Sequence, residues 1–353
     1  MTGVLSLARP DLLELEPYSH AHWDPRLERL HANENPWRPA GDVTDLGLNR
    51  YPEPYPQALA DRMAAIYGVT PDRLVLGRGS DEVIDLLVRA FCRAGRDAVL
   101  TCPPTFGMYK VAAQIQGAPV VEVPLLADRG FALDAARVVE TARDGVKIVF
   151  LCSPNNPTGN LLDPAAVEHV VAMLAGRALV VVDEAYIEFA DRGSLAAGLD
   201  SHPHLVVLRT LSKAHALAGA RCGAALADPG VIGLLKRLLP PYAIAESSIE
   251  AVQRALVDES LAATRTRIAA LVAERERMRT LLPRSRLVRI VWPSDANFLL
   301  VACHDPQDFL DRGIRAGLLV RDVRRQRGLG DCMRVTIGSR EQNDRLLAAV
   351  EAT

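Results

Sequence analysis

Continuous apolar runs recur through the chain at residues 74–76, 98–102, 120–123, 146–152, 178–182, 205–208 and 222–227. Most are unbroken stretches of Val, Leu and Ile without polar alternation, which predicts strands buried on both faces. Segments with the spacing of amphipathic helices, such as 165–174, lie between them. Strands separated by helices predict an α/β fold with a mainly parallel central sheet flanked by helices. After Asp228 the pattern changes to long helices, clearest over 260–282, followed by a smaller α/β unit with strands at 287–291, 298–301, 318–320 and 333–337. The first thirty or so residues carry Pro and His and are weakly periodic, so they read as an arm rather than a core element. The expected division is an N-terminal arm over 1–29, a large domain over 30–255 and a small C-terminal domain over 256–353. The chain contains no internal repeat and no low-complexity tract.

A length of 353 residues suits one large domain and one small one, and 49% hydrophobic with 24% charged residues describes an ordinary globular protein. The net charge of -2 is a small difference between 41 basic and 43 acidic side chains, which implies no general attraction to nucleic acid or membrane. No uncharged run has membrane length, and the first residues lack the basic and apolar segments of a signal peptide, so a cytoplasmic location is expected. Cys92, Cys102, Cys152, Cys222, Cys303 and Cys332 show no C-x-x-C spacing and read as reduced core thiols, with no metal site. Small-molecule chemistry is the expectation that remains.

Open parallel sheets collect ligands beyond the carboxyl ends of their strands. Three polar motifs fall there: Ser153-Pro-Asn-Asn-Pro-Thr-Gly159, Asp183-Glu-Ala-Tyr186, and Ser212-Lys213 followed by Arg221. Taken alone Lys213 would be a surface charge, but in this company it can form a Schiff base with pyridoxal 5′-phosphate. Attack on an aldehyde needs a neutral amine, which burial beside other cations favours, and the freed lysine can then carry a proton at the substrate Cα. Asp183 ends an apolar strand where a carboxylate is costly to bury, and facing the pyridine nitrogen it would keep that nitrogen protonated. Its alternative is a cap on the following turn.

Tyr186 and Asn156 are suited to hydrogen-bond the cofactor's 3′ oxygen, although Asn-Pro-Thr-Gly is also a plain turn sequence. A phosphate needs N–H donors, hydroxyls and a fixed cation. Gly79, Ser80 and Asp81 open an amphipathic helix and offer free N–H groups, Ser212 adds a hydroxyl, and Arg221 adds a bidentate donor. Capping by Ser80 or Asp81 can coexist with that role.

These residues lie in a chain that resembles the histidinol-phosphate aminotransferases, a family of fold type I pyridoxal phosphate enzymes. The resemblance runs almost end to end and includes Asn49-Arg-Tyr-Pro-Glu-Pro54, Leu76-Gly-Arg-Gly-Ser-Asp-Glu82, Cys102-Pro-Pro-Thr-Phe-Gly-Met-Tyr109, Val182-Asp-Glu-Ala-Tyr-Ile-Glu-Phe189 and Arg334-Val-Thr-Ile-Gly338. It implies that Phe106 covers the pyridine ring and that Tyr51 reaches the cofactor phosphate of a neighbouring subunit in a homodimer. It further implies that Tyr18 borders the substrate imidazole, that Arg334 anchors the substrate's acidic group, and that Arg321 is a second contact.

One guanidinium fork can bind the phosphate of histidinol phosphate and the carboxylates of glutamate or 2-oxoglutarate in turn. Arg324, Arg325 and Arg327 read as a solvated loop. His215 departs from the aromatic residue that relatives usually carry there and reads as a planar filler, with altered local protonation as the other reading. Pro240-Pro-Tyr-Ala also departs from the usual pattern.

The expected reaction is transamination between L-histidinol phosphate with 2-oxoglutarate and imidazole acetol phosphate with L-glutamate. The alternatives are an aromatic amino acid aminotransferase and a decarboxylase of the threonine-phosphate type, built on the same cofactor frame.

Overall fold

The computed structural model describes residues 3–351 apart from Ala21, Pro25 and Asp144. Seven strands form the large sheet: β1 (Leu74–Gly77), β2 (Ala98–Thr101), β3 (Val120–Glu122), β4 (Val146–Cys152), β5 (Leu179–Asp183), β6 (Leu205–Thr210) and β7 (Gly223–Leu226). Their spatial order is β1-β7-β6-β5-β4-β2-β3. Neighbours from β3 through β6 pair in parallel, whereas β7 is antiparallel to both β6 and β1. Six strands therefore point the same way, and the mainly parallel sheet expected from the apolar runs is mixed at one edge.

Burial on both faces follows from helices packed on each side. Val149, Leu151, Val180, Val182 and Val207 face one apolar cluster, which also takes in Leu59 and Met63 from the helix Gln57–Tyr67. Ile148, Phe150, Leu179, Val181 and Leu208 face a second, with Ile84 and Leu87 from the helix Ser80–Phe91. Burying each such aliphatic side chain is worth about 1.5–3 kcal/mol, which is why unbroken runs rather than alternation mark these strands.

The small sheet contains β8 (Val288–Val291), β9 (Phe298–Cys303), β10 (Arg321–Asp322) and β11 (Cys332–Thr336), in the order β10-β11-β9-β8 and antiparallel throughout. The expected strand at 318–320 is displaced to Arg321–Asp322. Gly317 takes a left-handed conformation (φ 72°) after the helix Pro306–Arg315, and the Leu318 N–H donates to the Gly313 carbonyl at 2.8 Å. The apolar run thus serves to end a helix rather than to extend a ladder.

Residues 4–13 differ from the expected arm. Leu7 and Ala8 are buried in the second cluster, and the Arg9 N–H donates to the Ala90 carbonyl at 2.9 Å. Beyond them, Leu27, Leu30, Trp37 and Val43 stand exposed.

The long helix Asp258–Leu281 joins the two sheets. From it Arg275 is buried and donates through Nη1 to the carbonyls of Phe189 (3.2 Å) and Ala296 (3.0 Å). Asp295 adds a second tie, its N–H donating to the Gly159 carbonyl at 2.7 Å and its carboxylate accepting from the Leu161 N–H at 3.0 Å. These contacts set the small sheet over the carboxyl ends of β4, β5 and β6.

Candidate active site

At those carboxyl ends a cavity of about 550 Å³ opens between the two sheets. Its floor is Asp183, last residue of β5, paired in register with Cys152 at the end of β4. The Asp183 carboxylate is held at both oxygens: Oδ2 accepts from the Tyr109 hydroxyl at 2.7 Å and Oδ1 from the Ala185 N–H at 3.1 Å. Burial pushes its pKa up to about 6, against the lowering effect of the Tyr109 hydrogen bond. A buried carboxylate with two donors is suited to meet a cation, such as a protonated ring nitrogen.

One wall comes from the loop after β4. Asn155 fixes that loop, donating to the Pro104 carbonyl (2.9 Å) and Thr158 Oγ1 (2.6 Å), and so aims Asn156 inward. Asn156 Nδ2 donates to the Tyr186 hydroxyl at 3.4 Å, and Asn156 Oδ1 accepts from Arg334. Tyr186 packs edge-on against Phe298 of β9, with centroids 5.2 Å apart.

Ser212 and Lys213 follow β6. Lys213 Nζ lies 5.7 Å from the centre of the Tyr186 ring. Burial lowers its pKa, with the Arg334 charge adding to the effect, and both favour the neutral amine a nucleophile requires.

At the far end is a cradle of anion-binding groups. The helix Ser80–Phe91 presents its N-terminus, with Gly79 at φ 81° preceding it. Gly79 has a left-handed φ that strains any side chain, and a Cβ at Gly223 would meet the Ser80 amide nitrogen at 2.6 Å, so both positions require glycine. Arg221 contacts Asp81 Oδ2 at 3.3 Å and Ser212 Oγ at 3.5 Å. Unpaired N–H groups, a hydroxyl and a guanidinium at one helix start fit a phosphate.

Opposite this cradle, Arg321 and Arg334 are cross-strand partners on β10 and β11, and both line the cavity. Arg334 Nε is buried without a protein partner. Among the described residues, neither guanidinium has a carboxylate partner in the ion pairs of the chain. Burial lowers the Arg334 pKa, which marks a cation placed where an anion would relieve it.

The residues expected from sequence at the cofactor, namely Gly79, Ser80, Asp81, Phe106, Asn156 and Asp183, all line this one cavity. Tyr186, Ser212, Lys213 and Arg221 do so as well. Tyr18 and Tyr51 do not. Tyr18 is 72% exposed and borders a separate pocket beside Tyr55 and Lys236, while Tyr51 stacks on Tyr242 with centroids 4.7 Å apart.

Sequence reasoning overlooked Tyr109 and Gln326. Tyr109 lies in the first turn of the helix Met108–Gln116, three residues after Phe106, and stacks on Phe150 at 4.6 Å, so it looks like core until its hydroxyl is seen on Asp183. Gln326 lines the cavity from within the basic stretch that reads as a solvated loop. Its spacing gives no signal.

The family described as aminotransferase class I and II matches residues 37–350. Among curated proteins, the histidinol-phosphate aminotransferase of Stenotrophomonas maltophilia (strain R551-3) is 48% identical, covering 99% of this chain and 97% of that one. The histidinol-phosphate aminotransferase of Xylella fastidiosa (strain 9a5c) is 45% identical over 98% of this chain and 96% of that one. Among solved structures, histidinol-phosphate aminotransferase from Sinorhizobium meliloti in complex with pyridoxal-5′-phosphate superposes with a TM-score of 0.77 at 26% identity, covering 86% of this chain and 82% of that one.

Proposed function

The chain belongs to the class I and II aminotransferases, and on that premise we propose that it interconverts L-histidinol phosphate and 2-oxoglutarate with imidazole acetol phosphate and L-glutamate, a step of histidine biosynthesis. The observation that carries the substrate class is the pair Arg321 and Arg334, without carboxylate partners across the cavity from Lys213.

The cofactor is pyridoxal 5′-phosphate, and the cradle and floor fit it. Gly79, Ser80, Ser212 and Arg221 would hold its phosphate, Asp183 its ring nitrogen, Asn156 and Tyr186 its 3′ oxygen, Phe106 a ring face, and Lys213 its aldehyde carbon. When bound, the group supplies an electron sink that lets an amino group leave one carbon skeleton and join another. The protein's own contribution is placement and proton transfer. Lys213, whose pKa is lowered by desolvation and by the Arg334 charge, would accept the proton from the substrate Cα and return it to the opposite end of the transferred imine. Asp183 would hold positive charge at the ring nitrogen, and Tyr109 donates to the carboxylate that would do so. Arg334 and Arg321 orient the substrate by its phosphate or carboxylate.

Tyr51 and Tyr18 lie outside the cavity of their own chain, which suits a homodimer in which Tyr51 reaches the partner's phosphate cradle and Tyr18 borders the imidazole. The exposed apolar residues Leu27, Leu30, Trp37 and Val43 on the same stretch support an interface there. The division we propose is an N-terminal segment over 1–29, of which residues 4–13 pack against the large domain, a large domain over 30–255 and a small domain over 256–353. A cytoplasmic location is consistent with six free, buried cysteines. Among the described residues no helix is long and apolar enough to cross a membrane.

Steady-state kinetics on two amino donors test the substrate. The expected kcat/KM for L-histidinol phosphate exceeds that for L-phenylalanine by more than about tenfold, and Arg334→Gln lowers the former by roughly a hundredfold. Equal or better use of phenylalanine would reassign the chain to aromatic amino acids, and carbon dioxide released from a phosphorylated amino acid would reassign it to decarboxylation.

A further inference from the structure

Asp183 ends β5, and Tyr186 follows it in a segment that little regular structure holds. Its helical turn, Ile187–Phe189, is closed by the Ile187 N–H on the Glu184 carbonyl (3.2 Å) and the Phe189 N–H on the Tyr186 carbonyl (3.0 Å). A turn that short contributes little stability of its own. The direction of Tyr186 is therefore set by what grips the segment from outside. Ala185, Tyr186 and Phe189 pack with Ala214, the residue after Lys213, and with Phe298 of β9. These apolar contacts are not directional.

The directional contacts come from β6. Arg209 is buried on that strand four residues before Lys213, with its guanidinium 4.5 Å from the centre of the Tyr67 ring. Its Nη2 donates to Glu188 Oε1 at 2.7 Å, and its Nη1 lies 3.8 Å from Glu184 Oε2. Glu184 is further held by the Ser194 hydroxyl (2.5 Å), by the Leu195 N–H (2.7 Å), and through its own N–H on the Leu208 carbonyl of β6 (3.0 Å). One guanidinium on the strand that leads to Lys213 thus meets carboxylates on either side of Tyr186. Burial works against the Arg209 charge, but Glu188, Tyr67 and Glu184 outweigh it and hold its pKa above the ordinary value. A buried ion pair is weak evidence for stability, because apolar groups of the same volume can pack as well. What a charge-assisted hydrogen bond adds is a fixed geometry.

We propose that Arg209 and Glu188 are positioning residues: their ion pair sets the segment 184–189 against β6 and so places the Tyr186 hydroxyl relative to Lys213. The effect on catalysis rests on Tyr186 and Lys213 acting at the cofactor, whereas the tie itself does not.

Two substitutions at one position separate contact from charge. Glu188→Ala removes the acceptor that Arg209 uses, while Glu188→Gln returns an acceptor oxygen without the charge. In the cofactor-loaded enzyme, Glu188→Ala is expected to lower kcat for L-histidinol phosphate roughly tenfold with KM little changed, and Glu188→Gln to recover to within about threefold of the wild type. The pH at which the bound cofactor changes colour should shift in the Ala variant and return in the Gln variant, since Tyr186 is the hydrogen-bonding group displaced.

Amide hydrogen exchange in the cofactor-free protein reads the tie without substrate. The Ile187 and Phe189 amides should exchange about tenfold faster in Glu188→Ala and near the wild-type rate in Glu188→Gln. Arg209→Lys, which keeps a cation but offers one ammonium in place of the fork, should show the same faster exchange and serves if Glu188→Ala does not fold. Exchange unchanged in Glu188→Ala overturns the proposal. Equal impairment of the Ala and Gln variants would assign the effect to the charge of Glu188 and overturns it too, as does faster exchange with chromophore and kcat unaltered. Should histidinol phosphate prove the wrong substrate, only the kcat comparison is lost, and exchange and chromophore still decide.

Discussion

Lys213→Ala is expected to abolish amino transfer, with kcat reduced by at least about 10⁴-fold and no change in the far-UV spectrum. The size follows from two duties meeting in one side chain. In the proposed mechanism Lys213 would both hold the cofactor and serve as the base beside the reacting carbon. Asp183, Tyr186 and Arg334 line the same cavity, but Asp183 accepts from Tyr109, the Tyr186 hydroxyl accepts from Asn156 and Arg334 donates to Asn156, so none is placed to replace the lysine. The fold should tolerate the change, because Lys213 follows the end of β6 and faces the cavity rather than either apolar cluster. Circular dichroism beside a turnover assay checks both parts. Retained turnover would remove Lys213 from the mechanism.

Asp183→Asn should come next, with a rate loss on the order of 10³-fold. Asparagine has nearly the same shape and can still accept from the Ala185 N–H, so the loss reports charge rather than packing. Stability should move the other way. In the cofactor-free chain, burial raises the Asp183 pKa from 3.8 to about 6, so the folded state resists ionisation. The resulting cost is absent below the unfolded value, grows as pH rises between the two, and is complete above the folded one. At neutral pH the cofactor-free Asp183→Asn variant should therefore melt no lower than the wild type while the loaded enzyme fails. A fall in both would indicate a structural role for the carboxylate.

The sheet was legible because β4, β5 and β6 are buried on both faces, and continuous Val, Leu and Ile runs report that burial directly. The reversed direction of β7 was not legible. The small residues of β7, Gly223, Ala224 and Ala225, fit an antiparallel neighbour as well as a parallel one, and only the chain path decides. The misplaced strand at 318–320 has a similar origin, since a helix-ending Gly317 followed by apolar residues carries the same composition as a strand start.

At the site, the phosphate cradle and floor could be read because each residue type is unusual in its place: a carboxylate ending an apolar strand, or glycines at a helix start. Tyr109 could not, since a tyrosine on a helix that packs against the sheet looks like core, and its function depends on where one oxygen points. The contacts of buried Arg209 with the Tyr67 ring and Glu188 were equally hidden. Tyr67, Glu188 and Arg209 come from separate stretches of sequence and meet only after folding.

The most direct test is the absorbance spectrum of the cofactor-loaded protein before and after L-histidinol phosphate is added without any keto acid. The visible band of the bound cofactor should give way to the near-ultraviolet band of its amino form, and 2-oxoglutarate should then restore it. A visible band that histidinol phosphate leaves unchanged, while an amino acid such as phenylalanine bleaches it, would contradict the assignment of substrate.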